Sequence, residues 1–205
     1  MQYASQDEIA VCTLSSVVLP ALVGGDGRFD LIKLHEVVKV MVRNTDRVID
    51  INQYPSPKAR QSAQRTRALG IGVQGLADVL KMLHVPYDSD QARALNMSIF
   101  ETIYHAALDA SCDLAQQYGT YPAYEGSPIS KGRLQFDLWG SRPTSLHDFD
   151  TLKSRIRAYG VRNSLLTAQM PTSSTSQITG FNDGTEPYVR RVVSSKPTEQ
   201  TLIAT

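Results

Sequence analysis

The amino-acid sequence predicts an α/β fold in which helices cover a sheet of parallel strands. Short apolar segments rich in β-branched residues lie at positions 9–19, 69–73 and 165–168, and segments with helical spacing of apolar residues lie between them. Strands that alternate with helices are typical of parallel sheets, because each helix carries the chain back across the sheet. We therefore expect these strands to share one direction.

The first half of the chain opens with the predicted buried strand at residues 9–19. Residues 30–50 then place apolar side chains at helical spacing, which predicts a long helix. Pro55 and Pro57 follow closely and are expected to stop it, since proline cannot continue a helix.

A basic segment leads into the second predicted strand. It carries Arg60, Arg65 and Arg67, for which a solvated loop is the favoured interpretation and contact with a phosphate is the alternative. Residues 69–73 are predicted to form a short strand, and residues 74–83 a helix.

The second half is predicted to be mainly helical. Residues 89–118 show the longest helical pattern of the chain, closed by Gly119. Residues 122–140 read as a loop, and residues 151–159 as an amphipathic helix with Gly160 at its C-terminal cap.

A run of hydroxyl side chains follows the last predicted strand. Residues 172–176 are five consecutive serines and threonines, and they are expected to open a helix. The free N–H groups and partial positive charge of a helix start, together with rotatable hydroxyls, suit a phosphate even without a lysine. Serine and threonine are also favoured at helix starts for purely local reasons. From spacing alone, capping is the more frequent explanation.

Gly70, Gly72 and Gly75 match the spacing of a dinucleotide-binding fingerprint, and Asp90 lies about 20 residues further on, where a ribose-binding acid belongs. The context argues against that site, because residues 65–69 are not a buried strand. We expect instead that the glycines permit close packing of a strand against a helix.

The two cysteines, Cys12 and Cys112, lie far apart without a CxxC pattern, so neither a disulfide framework nor a structural zinc site is expected. Cys12 falls in the first predicted strand, where a buried apolar role is usual. Cys112 falls on the longest predicted helix and is expected to be structural.

The four histidines, His35, His84, His105 and His147, lie in separate segments without the spacing of metal ligands. Each is expected to be a surface or helix-flank residue, and no metal site is predicted.

The composition predicts a folded domain, with 41% hydrophobic and 20% charged residues and a formal net charge of +1. No overall basic bias indicates a nucleic-acid partner. Apolar stretches such as residues 17–23 are too short to span a bilayer, and residues 1–8 do not resemble a signal peptide. A cytoplasmic protein without a membrane partner is therefore expected.

Five segments resemble, in this order, one protein family. They are EIAVCTL at 8–14, DINQYP at 50–55, GIGVQGLAD at 70–78, YEGSPISKG at 124–132 and PTSSTSQ at 171–177. The family is the large, catalytic subunit of class I ribonucleotide reductase, in its eukaryote-like and viral branch. Several long motifs in the correct order are a specific signal, and the resemblance covers nearly the whole chain.

The resemblance implies that residues 1–188 form part of the catalytic domain, an α/β fold that is one part of a ten-stranded α/β barrel, mainly its second half-barrel. Residues 189–205, rich in Ser, Thr, Lys and Pro, are expected to form a divergent, disordered tail.

The resemblance also implies two sets of site residues. Cys12 matches the redox-active cysteine that reduces the 2′ position of the substrate and forms a disulfide with an upstream cysteine, which this chain lacks. Thr172, Ser173, Ser174 and Thr175 match the loop that holds the substrate diphosphate.

The implied reaction is the radical reduction of ribonucleoside diphosphates to 2′-deoxyribonucleoside diphosphates. No cofactor is expected on this chain. A diiron-tyrosyl radical is expected on a separate small subunit, and thioredoxin or glutaredoxin is expected as the reductant. The implied partners are a ribonucleoside diphosphate, the N-terminal part of the large subunit and the diiron small subunit.

The family's large subunit is several times longer than 205 residues. Its radical-bearing cysteine would precede Met1, and its radical-relaying tyrosines have no counterpart here. The chain is therefore expected to need a complementary N-terminal part and to be inactive alone. The alternative is a truncated or degenerate product that binds nucleotide or another reductase chain without catalysis.

Overall fold

A computed structural model describes residues 4–188 and the backbone of residues 192–195 and 200–203. Its helices are α1 (Leu31–Ile51), α2 (Pro57–Thr66), α3 (Leu76–Met82), α4 (Asp90–Tyr118), α5 (Gln135–Trp139), α6 (Phe149–Tyr159) and α7 (Ser173–Thr179). Its strands are β1 (Leu14–Val18), β2 (Gly70–Gln74), β3 (Val192–Ser195) and β4 (Gln200–Ile203).

The strands β1 and β2 pair in parallel, with Leu14 opposite Gly70. On the other side of β2, an extended segment at residues 165–168 adds a parallel bridge between Thr167 and Ile71. The predicted α/β class with parallel strands is therefore confirmed. In the described part of the chain the sheet is small and open, and it does not close into a barrel.

The long helices lie close to where the sequence places them. α1 starts after Asp30, whose carboxylate accepts a hydrogen bond from the Lys33 N–H at 2.8 Å. α4 starts in the same way after Ser89 and ends at Gly119. Such caps satisfy N–H groups that have no partner within the helix, which is why they mark boundaries well.

The basic loop predicted around Arg60 is wrong, because residues 57–66 form α2. Ser56 caps this helix by accepting from the Ala59 N–H at 3.2 Å, and Pro57 occupies its first turn, where proline is tolerated. The first predicted strand is also shorter than expected, since β1 begins at Leu14 and not near residue 9.

The core lies between the sheet and a layer formed by α1, α4 and α6. Leu34, Val38 and Val42 of α1 belong to one apolar cluster with Ile99 and Ile103 of α4, and all five side chains are buried. Burial of this apolar surface is the main favourable contribution to folding.

Arg67 was also predicted to lie in a solvated loop, and this is wrong because its side chain is only 4% exposed. Its guanidinium donates to the carboxylates of Asp46 and Asp50 at 2.8–3.1 Å. Asn163 donates to the same Asp46 carboxylate at 2.8 Å and to the Arg67 carbonyl at 3.0 Å. This network joins α1, the C-terminal end of α2 and the segment that leads to residues 165–168.

Two further features concern membranes and the tail. Among the described helices, none combines the length and the apolar character that crossing a bilayer requires.

In the tail, only the backbone of β3 and β4 is described, and it forms an antiparallel pair. The rest of residues 189–205 lies outside the described part of the chain, so the disordered tail stays a prediction.

Candidate substrate site

Gly70 and Gly72 lie on one face of β2 and allow neighbouring segments to approach closely. A Cβ atom at Gly70 would lie 2.5 Å from Leu14 Cδ2, and one at Gly72 would lie 2.5 Å from the Ala168 carbonyl oxygen. Gly70 and Gly72 therefore permit packing between adjacent strand segments, which differs from the strand-to-helix packing expected for them. Because both lie within a strand, they do not form the phosphate-binding turn of a dinucleotide site.

Cys12 lies at the start of the hydrogen-bonded ladder between β1 and β2. The Gly70 N–H donates to the carbonyl of Thr13 at 3.0 Å, so the chain is already aligned with β2 one residue after the cysteine. The Cys12 thiol is exposed, which excludes the buried apolar role. Exposure is what thiol–disulfide exchange requires.

Cys112, by contrast, is fully buried in α4, and burial raises the pKa of its thiol. The structural role predicted for Cys112 fits this environment, since a buried thiol of raised pKa is unreactive.

The hydroxyl run opens α7 as predicted, and Asp183 organises its start. Thr172 is buried, and its N–H and hydroxyl donate to Asp183 Oδ1 at 2.5 and 2.6 Å. The Ser173 hydroxyl donates to Asp183 Oδ2 at 3.3 Å. A carboxylate of the chain itself thus occupies part of the donor set that the sequence offers to a phosphate.

Gln74, the last residue of β2, fixes the other side of the loop. Its side chain is 1% exposed, and its Oε1 accepts from the Thr175 hydroxyl at 3.0 Å. Its Nε2 donates to the Thr179 hydroxyl at 3.1 Å. The start and end of α7 are therefore both attached to the end of β2.

Ser174 is the loop residue whose hydroxyl remains available to bind a ligand. Its side chain is exposed and makes no hydrogen bond with the residues that the structure describes. The first helical hydrogen bond of α7 runs from Ser176 N to the Thr172 carbonyl, so the N–H groups of Ser173, Ser174 and Thr175 precede the helical ladder. These N–H groups and the Ser174 hydroxyl form a set of donors at a helix start.

The two predicted sets of site residues lie at opposite ends of the same short sheet. Cys12 precedes Leu14, which is opposite Gly70, whereas Thr175 contacts Gln74 at the far end of β2. The paired strands span four residue steps, from Leu14 opposite Gly70 to Val18 opposite Gln74, or about 13 Å at roughly 3.3 Å per residue, and Cys12 lies before the first of these pairs. A ligand that contacts both must be elongated and lie along the strands.

Sequence reasoning missed Gln74 and Asp183 as residues that shape the loop. Gln74 carried a signal, because it is a polar residue at the end of an apolar strand within the GIGVQGLAD segment. Asp183 lies after the hydroxyl run in a segment without a motif, and only the folded chain brings it to Thr172.

The interpretation of the histidines as scattered residues is wrong for three of them. His35, His105 and His147 come from different elements, yet each offers a ring nitrogen within 4.8 Å of the other two. His84 is exposed and lies outside this group.

An α/β chain with these features matches the family described as "Ribonucleotide reductase, barrel domain" over residues 1–204. The chain belongs to this family, as the five sequence segments indicate.

Individual relatives are ribonucleoside-diphosphate reductase large chains. The chain is 54% identical over 201 residues to that of Schizosaccharomyces pombe, 52% identical over 196 residues to that of Caenorhabditis elegans, and 54% identical over 201 residues to that of Vaccinia virus. Each alignment covers 96% of this chain but only 25–26% of the relative. The chain thus spans about a quarter of the length of the curated relatives it matches.

Proposed function

We propose that this chain is the part of a ribonucleoside-diphosphate reductase large subunit that holds the substrate diphosphate and carries one of the two reducing thiols. The observation that carries the proposal is the placement of the exposed Cys12 and the hydroxyl loop at the two ends of one strand pair. A nucleoside diphosphate is an elongated ligand, with its phosphates at one end and its ribose further along.

In this proposal the start of α7 binds the diphosphate. The Ser174 hydroxyl and the N–H groups of Ser173, Ser174 and Thr175 donate to phosphate oxygens, and the helix start adds a favourable partial charge. Thr172 and the Thr175 hydroxyl hold the loop in shape through Asp183 and Gln74. The four predicted residues thus divide into donors to the ligand and residues that position the loop.

At the other end, the Cys12 thiol supplies reducing equivalents to the ribose. Together with a second thiol from elsewhere in the subunit it gives two electrons and two protons, the 2′ hydroxyl leaves as water, and the two sulfurs form a disulfide. The radical that initiates this chemistry comes from a diiron small subunit. Cys12 is then regenerated by thiol–disulfide exchange with a dithiol reductant of the thioredoxin or glutaredoxin type.

The remaining partners and the location are part of the same proposal. Family membership supports a small-subunit partner and a complementary part of the large subunit. A cytoplasmic site of action is proposed with them. The product would supply DNA precursor synthesis.

A chimera tests the phosphate site, with this chain replacing the matched quarter of the fission yeast large chain. Ser174→Ala removes one hydrogen bond to a charged group, worth roughly 1.5–3 kcal/mol, so diphosphate binding should weaken about tenfold or more. Ser154→Ala, at an exposed position of α6, is the matched control and should bind normally.

Binding of the corresponding nucleoside, without phosphates, separates the two roles of the loop. The proposal predicts that Ser174→Ala leaves nucleoside binding nearly unchanged. An equal loss for nucleoside and diphosphate would mean that the loop only caps α7.

A further inference from the structure

The helices α1 and α4 present facing polar side chains as a ladder of three rungs. The rungs are His35 with His105, Lys39 with Asp109, and Arg43 with Asp113, and the residues of each rung are 70 positions apart. A constant offset means that the two helices run in the same direction, and the four-residue step keeps every rung on one face. The second and third rungs pair a base with an acid, whereas the first pairs two imidazoles.

A third imidazole joins the first rung from the loop before α6. His147 stacks on His105 with ring centroids 4.7 Å apart, and His35 Nε2 lies 3.0 Å from His105 Nδ1. One nitrogen of each ring lies within 4.8 Å of the other two. Tetrahedral zinc with Zn–N bonds of 2.0–2.1 Å holds its nitrogens about 3.3 Å apart. Binding of an ion therefore requires the stacked His105 and His147 rings to rotate until one nitrogen of each faces the ion.

A neighbouring hydroxyl fixes the orientation of the His147 ring. The Thr102 hydroxyl has one proton and donates it to the Ser98 carbonyl at 2.7 Å, so its oxygen accepts from His147 Nε2–H at 2.8 Å. The neutral ring then keeps a lone pair on Nδ1. Outer contacts of this kind orient histidine ligands in metal sites.

Burial disfavours the charged form of each imidazole. Burial, and then the positive charges that His147 and His35 would carry, lower the pKa of His105 to about 4. Burial also lowers the pKa of His35 and of His147. A neutral imidazole offers a lone pair, which a metal ion needs.

We propose that His35, His105 and His147 bind one divalent transition-metal ion, zinc in the first instance. Three imidazoles suit zinc and similar first-row ions, with a fourth position for water, whereas calcium and magnesium require a set of oxygen ligands. The ion would join α1, α4 and the loop before α6, and thus stabilise the helical layer. The site replaces the prediction that the chain has no metal site, and it does not depend on the proposed reductase function.

The test uses the full 205-residue chain. Titration with Zn²⁺ in competition with a chelating dye should give one ion per chain, and Co²⁺ should give the intense visible absorption of a tetrahedral site. Zn²⁺ in excess of the dissociation constant should raise the melting temperature by mass action, whereas Mg²⁺ should not.

Two variants and a control locate the ion. His105→Phe keeps a ring against Phe149, now 5.1 Å from the His105 ring, but removes the nitrogens, and it should weaken Zn²⁺ binding at least about tenfold. His147→Ala should also weaken Zn²⁺ binding at least about tenfold. Because His147 lies in a loop, this variant provides the test if His105→Phe does not fold. His84→Asn should bind Zn²⁺ as wild type does, and asparagine tolerates the positive φ of 55° at that position.

Either of two results would overturn the proposal. One is a wild-type chain that takes up neither Zn²⁺ nor Co²⁺ at one per chain. The other is a folded His105→Phe or His147→Ala variant that binds Zn²⁺ as tightly as the His84→Asn control.

Discussion

Arg67 shows how a single buried charge organises the molecule around the candidate site. Its guanidinium lies between Asp46 and Asp50, and its hydrogen bonds keep the pKa of Asp50 below its ordinary value. The same Asp46 carboxylate accepts a hydrogen bond from the side-chain amide of Asn163, which precedes the segment leading to the hydroxyl loop. Charge pairs as buried as Arg67 and Asp46 add little net stability when intact, but leaving one partner alone is costly.

Replacing Arg67 should therefore be strongly destabilising. Arg67→Leu leaves the buried Asp46 carboxylate with only the more distant Arg162, whose Nε lies 3.9 Å from Asp46 Oδ2, and we expect the free energy of unfolding to fall by about 3 kcal/mol. Urea denaturation of the chimera measures this. Arg60→Ala, at an exposed position of α2, is the control and should change stability by less than about 0.5 kcal/mol.

A double variant distinguishes an uncompensated charge from lost packing. Arg67→Leu combined with Asp46→Leu removes both charges and should recover part of the lost stability. If the double variant is less stable than Arg67→Leu alone, the charge-based explanation is wrong.

Among the site residues, Cys12 and residues 172–175 could be proposed from the sequence because they lie within long motifs. Asp183 and the three clustered histidines could not, because tertiary packing brings them to their partners, and the contacts of Gln74 with α7 arise in the same way although its position at the end of β2 carried a signal. Sequence spacing carries no information about such contacts.

At the scale of elements, the predicted helices matched the structure where strong caps mark their ends, as at Ser89 and Gly119. The sequence missed α2 because the side chains that it buries are small, Ala59 and Ala63 among them, and no large apolar stripe reveals the helix. Residues 165–168 were predicted as a strand, but in the described part they form only a bridge at Thr167.

The contact between β2 and its neighbours gives a prediction for Gly72. A Cβ atom there would lie 2.5 Å from the Ala168 backbone oxygen, which cannot rotate away. We expect Gly72→Ala to reduce the free energy of unfolding by about 1–3 kcal/mol, as in other overpacked interiors. Denaturant unfolding of the chimera measures the loss.

Gly25→Ala is the matched control for this substitution. A Cβ atom at Gly25 meets nothing within 4 Å, so its effect should be close to zero. Equal stability of both variants would mean that β2 and residue 168 are not packed as described.

At the scale of the whole molecule, the open sheet is the main feature. In the described part of the chain β1 has a strand partner only on the side of β2. Apolar side chains nearby are partly exposed, with Ile9 at 49%, Leu14 at 48% and Leu165 at 44%. Parallel sheets are normally covered on both faces, and unpaired edges promote association.

We therefore expect the isolated chain to self-associate. A fragment of the fission yeast large chain that supplies the regions outside the matched quarter should bind it and raise its melting temperature by mass action. Analytical ultracentrifugation and thermal melting, with and without that fragment, measure both effects. A monodisperse chain whose sharp melt is indifferent to the fragment would contradict the open-barrel account and favour a self-sufficient, non-catalytic domain.

The most direct test of the proposed function is turnover by the chimera carrying Cys12→Ser, assayed with a diiron small subunit and a dithiol reductant. A hydroxyl can neither supply reducing equivalents nor form a disulfide, so substrate binding should be retained while repeated formation of deoxynucleotide is lost. Cys112→Ala, at the buried cysteine, should retain turnover. Unchanged steady-state turnover by Cys12→Ser would show that Cys12 is not a reducing thiol, and the central claim would fail.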